Sequence, residues 1–158
     1  PGIPVDDPPA AMRALGLALQ RHLGGSSGPL YGVLFLRAAA TLENATDDAP
    51  DTWALALAEG CNAISELGGA RLGDRTMLDA LLPFAATLAR NLHDDLGVNE
   101  SLQSAALAAA AAAHSTAKTT ARRGRSSYLG ERVLGTPDPG AIAATIWLRA
   151  AVAALALY

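Results

Sequence analysis

Gly24-Gly25-Ser26-Ser27-Gly28-Pro29-Leu30-Tyr31-Gly32 separates two apolar patterns of helical period, and its reading decides the fold. Before it, Met12, Leu15, Leu19 and Leu23 recur at three- or four-residue steps from Ala10 onward. After it, Leu30, Leu34, Ala38 and Leu42 continue the same period to Asn44. The paired glycines stop the first pattern, Ser26 or Ser27 can cap the next helix, and Pro29 suits its first turn. The stretch is therefore a helix-to-helix corner. The free N–H groups at such a start, added to the helix dipole, favour an anion, phosphate first among them. An ordinary Gly/Ser turn explains the same residues.

Working outward, residues 1–9 are rich in Pro, Gly and Asp and read as an irregular lead-in. Residues 46–51 form a polar turn with Asp51 or Thr52 as the cap of a third helix, carried by Trp53, Leu57, Gly60, Cys61, Ile64 and Leu67 and ended by Gly68-Gly69. Asp74 and Thr76 offer caps for a fourth helix bearing Met77, Leu81, Phe84 and Leu88, in which Pro83 causes at most a kink or a late start. Asn99 or Ser101 opens an alanine-rich fifth helix that reaches Thr119 or beyond, since alanine is the strongest helix former. Residues 122–137 are too irregular for a helix and long enough for a functional loop. Asp138 and Pro139 start the sixth, with Ile142, Ile146, Leu148, Val152 and Leu155 on its buried side.

Composition points the same way. The 158 residues suffice for one helical domain with a core of its own, and aromatic residues make up only 4%, which disfavours sheet. The expected architecture is all-α, an antiparallel up-and-down bundle or helical barrel of about six helices. A net charge of −3 without a basic stripe excludes a nucleic-acid footprint. The lone Cys61 excludes a disulfide framework and reads as a buried, inert thiol. Residues 102–113 and 141–158 are apolar but alanine-rich, and Arg149 interrupts the second, so neither reads as a membrane span. A cytoplasmic location is the matching expectation.

Three further motifs follow the corner in order: Gly73-Asp74-Arg75-Thr76-Met77-Leu78-Asp79-Ala80-Leu81, then Gly124-Arg125-Ser126-Ser127-Tyr128-Leu129-Gly130-Glu131-Arg132, then Asp138-Pro139-Gly140-Ala141. Taken singly they are bland. Met77 is a core residue, Asp79 a partner of a helix cap, the arginines a solvated loop, Tyr128 a packing anchor and Asp138 a cap. Taken in order, the set resembles the nucleotide-binding L subunit of dihydroxyacetone kinase and the equivalent C-terminal domain of single-chain kinases, from about Met12 onward.

The resemblance implies a bound adenine nucleotide, ADP or ATP. It implies phosphate contacts at Gly25, Ser26 and Ser27, and an adenine bordered by Thr76 and Met77 with Gly68 on the turn nearby. It also implies nucleotide contacts from Arg125, Asp138 and Gly140, and it assigns no catalytic residue. The family's Mg2+ aspartates lie in a Gly-Asp-x-Asp-like loop upstream of the corner. Asp6 and Asp7 lack its glycine and spacing, so that loop and about two N-terminal helices are expected to be missing from this sequence. The implied function is transfer of a phosphoryl group to dihydroxyacetone or a related short ketose held by a partner subunit, with a phosphohistidine carrier protein recharging ADP in the phosphotransferase-system version. The alternative is a noncatalytic nucleotide-binding regulatory module that lacks the metal loop.

Overall fold

Asp7 opens the first helix by accepting the Ala10 N–H at 3.0 Å, and Pro8 and Pro9 occupy the first turn, where their missing N–H groups are not needed. Helix α1 thus runs Pro8–His22, two residues earlier than the apolar period implies. The computed structural model describes residues 3, 4 and 6–156, with the backbone alone at Arg125. It contains six α-helices and two 3-10 segments among the described residues. The chain divides into two compact units, Pro1–Gly69 and Ala70–Tyr158.

In the first unit, α2 (Ser27–Glu43) packs on α1 and on α3 (Pro50–Gly68). Its neighbours show that both pairs run antiparallel. Arg13 near the start of α1 pairs with Glu43 at the end of α2, and Leu30 near the start of α2 lies beside Gly68 at the end of α3. Glycine makes the approach close: a Cβ on Gly60 would sit 2.7 Å from the Leu34 carbonyl oxygen. Buried Ala38, Leu42 and Ala56 gather Met12 and Trp53 around them. Cys61 is fully buried, and burial pushes its thiol up to about 12. Helix α3 is capped by Ala49 rather than by Asp51 or Thr52, because Asp47 takes both the Ala49 N–H and the Thr52 hydroxyl. It ends where Gly69 turns left-handed at φ 63°.

In the second unit, α5 (Val98–Ser115) packs against both α4 (Leu78–His93) and α6 (Pro139–Leu155). Leu78, Leu81, Phe84, Ala105, Ala109, Ala141 and Leu148 are among its buried residues. Burying a leucine of this kind contributes roughly 1.5–3 kcal/mol. Pro83 neither delays nor ends α4. Residues 122–137 are more ordered than their composition implies, since Arg125–Val133 is 3-10 helical with a break at Gly130. Some side chains stand elsewhere than expected. Ile146 is 65% and Leu155 55% exposed, because Ala141, Ala144, Thr145 and Leu148 take the inner face of α6. Tyr128 is 87% exposed, so it is no packing anchor.

Candidate functional site

The start of α4 is built by a Thr-x-x-Asp exchange. Thr76 Oγ1 accepts the Leu78 N–H at 3.2 Å, while Asp79 Oδ2 accepts the Thr76 N–H at 2.7 Å and its Oδ1 accepts the Gly73 N–H at 2.6 Å. Asp79 is therefore committed to the turn, and Met77 is held buried at the mouth of the helix.

The start of α6 lies against it. Asp138 caps α6 by accepting the Ala141 N–H at 2.9 Å through Oδ2, and its own N–H donates to Thr116 Oγ1 at 2.7 Å. A Cβ on Gly140 would stand in ordinary contact, 3.5 Å, with the Met77 nitrogen and would press to 2.9 Å on the capping Asp138 Oδ2. Thr76, Met77, Asp138 and Gly140, more than sixty positions apart at the extremes, thus form one cluster.

The cluster turns on a residue that the sequence did not single out. Arg75 is 2% exposed and has φ 65°, a left-handed conformation that costs a non-glycine residue roughly 1–3 kcal/mol. Its Nε donates to the Thr116 carbonyl at 3.3 Å, and its Nη2 donates to the Val133 carbonyl at 3.0 Å and the Thr136 carbonyl at 2.6 Å. Nη1 lies 3.8 Å from Asp138 Oδ1 and has no hydrogen-bond partner among the described residues. Ser126 Oγ donates weakly to the same Oδ1 at 3.5 Å. Burial pushes the Asp138 carboxyl above the usual carboxylate range. The Ala141 N–H, the Arg75 guanidinium and the Gly140 N–H pull it back, and Asp79 adds to the rise. The only sequence signal for Arg75 was its place between two capping residues.

The remaining expected residues belong to other elements. In the first unit, Gly25 is exposed at φ 66°, Ser26 is exposed at the N-cap of α2, and Ser27 is half-buried as its first residue. Ser26 makes no side-chain capping bond among the described residues, so it does not cap α2 as expected. Gly68 closes α3 in exposed backbone beside Leu30. The Arg125 backbone begins the 3-10 segment, and its side chain lies outside the described residues.

The DAK2 domain model matches residues 3–153. The chain belongs to the DAK2 domain family. It is 37% identical over 155 residues to a putative 3,4-dihydroxy-2-butanone kinase of Solanum lycopersicum, covering 96% of this chain and 26% of that one. It is 36% identical over 130 residues to DhaL of Escherichia coli, the ADP-binding subunit of a PEP-dependent dihydroxyacetone kinase, covering 82% of this chain and 62% of DhaL. Among solved structures, the dihydroxyacetone kinase of C. freundii in complex with AMP-PNP and Mg2+ superposes with a TM-score of 0.71 at 30% identity, over 96% of this chain and 24% of that one. The chain thus spans about a quarter of the tomato and C. freundii proteins. The all-helical expectation and the family resemblance both hold.

No helix among the described residues is long and apolar enough to cross a membrane. No three His, Cys, Asp or Glu among them stand together as a cation site. Mg2+ demands several oxygen ligands at octahedral positions, so the described carboxylates do not by themselves fit a metal centre.

Proposed function

We propose that this DAK2 domain binds an adenine nucleotide, ADP or ATP, as the nucleotide-holding part of a dihydroxyacetone kinase-type phosphotransferase. The observation that carries the reading is the meeting of Thr76 and Met77 with Asp138 and Gly140 at two helix starts in a chain of this family. A polarizable thioether beside two helix starts, whose dipoles favour negative charge, suits a planar base and its attached oxygens. Gly25, Ser26 and Ser27 are the proposed phosphate contacts, with Gly68, Arg125, Asp138 and Gly140 as further nucleotide contacts. Residues 1–158 are in this reading one nucleotide-binding domain, which the span of the family match supports.

The acceptor is dihydroxyacetone or a related short ketose, held by a partner subunit or domain. A phosphohistidine carrier protein is the partner in the phosphotransferase-system version, and the setting is cytoplasmic. The names of DhaL and of the AMP-PNP complex support this reading for their own proteins. Mg2+ is the proposed divalent cation of the bound nucleotide. The chain's own part is positioning and electrostatic complementarity, since phosphoryl transfer asks little covalent chemistry of the protein.

Calorimetric titration of ADP into the intact protein tests the reading. Arg125→Ala is expected to weaken binding by about 1.5–3 kcal/mol, the range of a charge-assisted hydrogen bond, and Arg123→Ala by under about 0.5. Equal affinities return Arg125 to a solvated loop, and no ADP binding by the wild type overturns the nucleotide reading.

A further inference from the structure

We propose that Arg75 is a positioning residue for the nucleotide, fixing residues 116–138 against the start of α4 so that Met77, Asp138 and Gly140 keep their spacing. The inference rests on the nucleotide reading and deepens it. Residues 119–137 form a strap with left-handed glycines at Gly124, Gly130 and Gly135, where an added Cβ would meet nothing within 4 Å. Glycine is needed there for backbone conformation rather than for space, and such positions turn easily. Within the strap, the side-chain bonds are short-range: Ser127 Oγ donates to the Gly124 carbonyl and Arg132 Nε to the Leu129 carbonyl.

Its ends are held from outside. The Arg122 N–H donates to the Asp74 carbonyl at 3.1 Å and the Gly135 N–H to the Ala117 carbonyl at 2.8 Å. Arg75 then joins four places at once, namely the end of α5 at Thr116, the strap at Val133 and Thr136, and the cap of α6 at Asp138. A lysine cannot reproduce this, because one ammonium does not span carbonyls that a planar five-donor fork reaches together. The backbone conformation supports the same conclusion. Glycine would relieve the strain at φ 65°, so the side chain is what the position retains. Arg75 is itself too buried to touch a ligand directly, so it acts through Asp138 and the strap.

The test uses Arg75→Lys in the intact protein, with Arg90→Lys on the exposed side of α4 as the control. At about 10 °C, where proteins are typically near their maximum stability, ADP affinity by calorimetry is expected to fall about tenfold or more in Arg75→Lys and to stay within about twofold in the control. Amide exchange at Gly135 and Asp138 is expected to quicken in Arg75→Lys while that of the α4 and α5 interiors does not. Far-UV dichroism verifies that the variant is folded at that temperature. A folded Arg75→Lys that binds ADP within twofold of the wild type overturns the inference even if its melting midpoint drops, because Arg75 is then only a fold-stabilising residue. Wild-type protein that takes up no ADP overturns the nucleotide reading and this inference with it. An Arg75→Lys that unfolds at 10 °C is replaced by Arg75→Gln, judged by the same two readouts.

Discussion

The two units present their candidate residues in opposite ways. In the first, Gly24, Gly25 and Ser26 stand exposed at the α1–α2 corner, with two helices beneath them locked by small residues. In the second, Met77, Asp138 and Arg75 are buried and tied to one another through Thr116 and Gly140. The corner can change its chemistry without changing its fold, whereas the cluster cannot. A glycine-rich sequence therefore says little until each glycine's neighbours are known. Gly24 has open space around it, while Gly28, four residues on, would drive a Cβ to 2.5 Å from the Leu23 carbonyl oxygen.

The largest expected effect lies in the second unit. Arg75→Met removes three hydrogen bonds to carbonyls and leaves Asp138 buried without its cation. Breaking a buried pair in this way costs roughly 3–5 kcal/mol. Denaturant unfolding should show a loss of that order, and a loss below about 1 kcal/mol would mean the carbonyls and Asp138 are rehydrated and the cluster is looser than drawn.

Gly28→Ala should come next. The contact is with backbone, which yields little, so overpacking costs about 1–3 kcal/mol. Helix propensity returns at most about 1 kcal/mol, and less in the first turn, so the clash wins. Gly24→Ala is the matched control and should stay within about 0.5 kcal/mol. Equal effects at the two glycines would erase the distinction between the packed and the open part of the corner.

How much of this was legible follows from distance along the chain. Caps and stops are local, so Asp138 at the start of α6 and the Gly68-Gly69 stop of α3 could be read directly. Residues 77, 138 and 140 were named from motif order, and nothing in their spacing said that Gly140 would approach Met77. Arg75 was invisible because its acceptors lie 41, 58 and 61 residues away and are main-chain carbonyls, which carry no residue-type signal. The face of α6 is hidden at Ile146 and Leu155 because Thr145 and Arg149 are too few to mark a polar side on a helix otherwise of alanine and large apolar residues. Asp47 took the place expected of Asp51 because a carboxylate just outside the helix serves two donors at once.

Asp138 offers a smaller, pH-dependent effect within the buried cluster. Its folded carboxyl holds a proton at pH values where the unfolded one, near 3.8, has released it. The folded state then binds more protons, so this group's contribution is full below that value and is lost as pH rises through the raised one. Asp138→Asn still caps α6 and has no such dependence. Thermal melts from about pH 4 to 7 should show the Asn variant gaining on the wild type as pH rises. A wild type that gains instead would mean that the Arg75 guanidinium outweighs burial at this carboxyl.

Ser26→Ala should have the smallest effect on folding and the clearest contrast with Arg75. Ser26 is exposed, sits at the N-cap of α2 in a helical conformation, and its hydroxyl makes no capping bond among the described residues. A serine that caps through its side chain costs about 1 kcal/mol when truncated, and one that does not costs under about 0.5. The melting midpoint should therefore hardly move. If the hydroxyl is instead reserved for a phosphate oxygen, ADP binding falls by about tenfold, since a hydrogen bond to a charged group contributes about 1.5–3 kcal/mol. Calorimetry and melts on one protein preparation separate the two quantities. Loss of binding with intact stability keeps the corner as an open phosphate contact. Loss of stability with intact binding would make Ser26 an ordinary cap whose bond forms in solution, and would leave the phosphate contact to the backbone of Gly25 and Ser27.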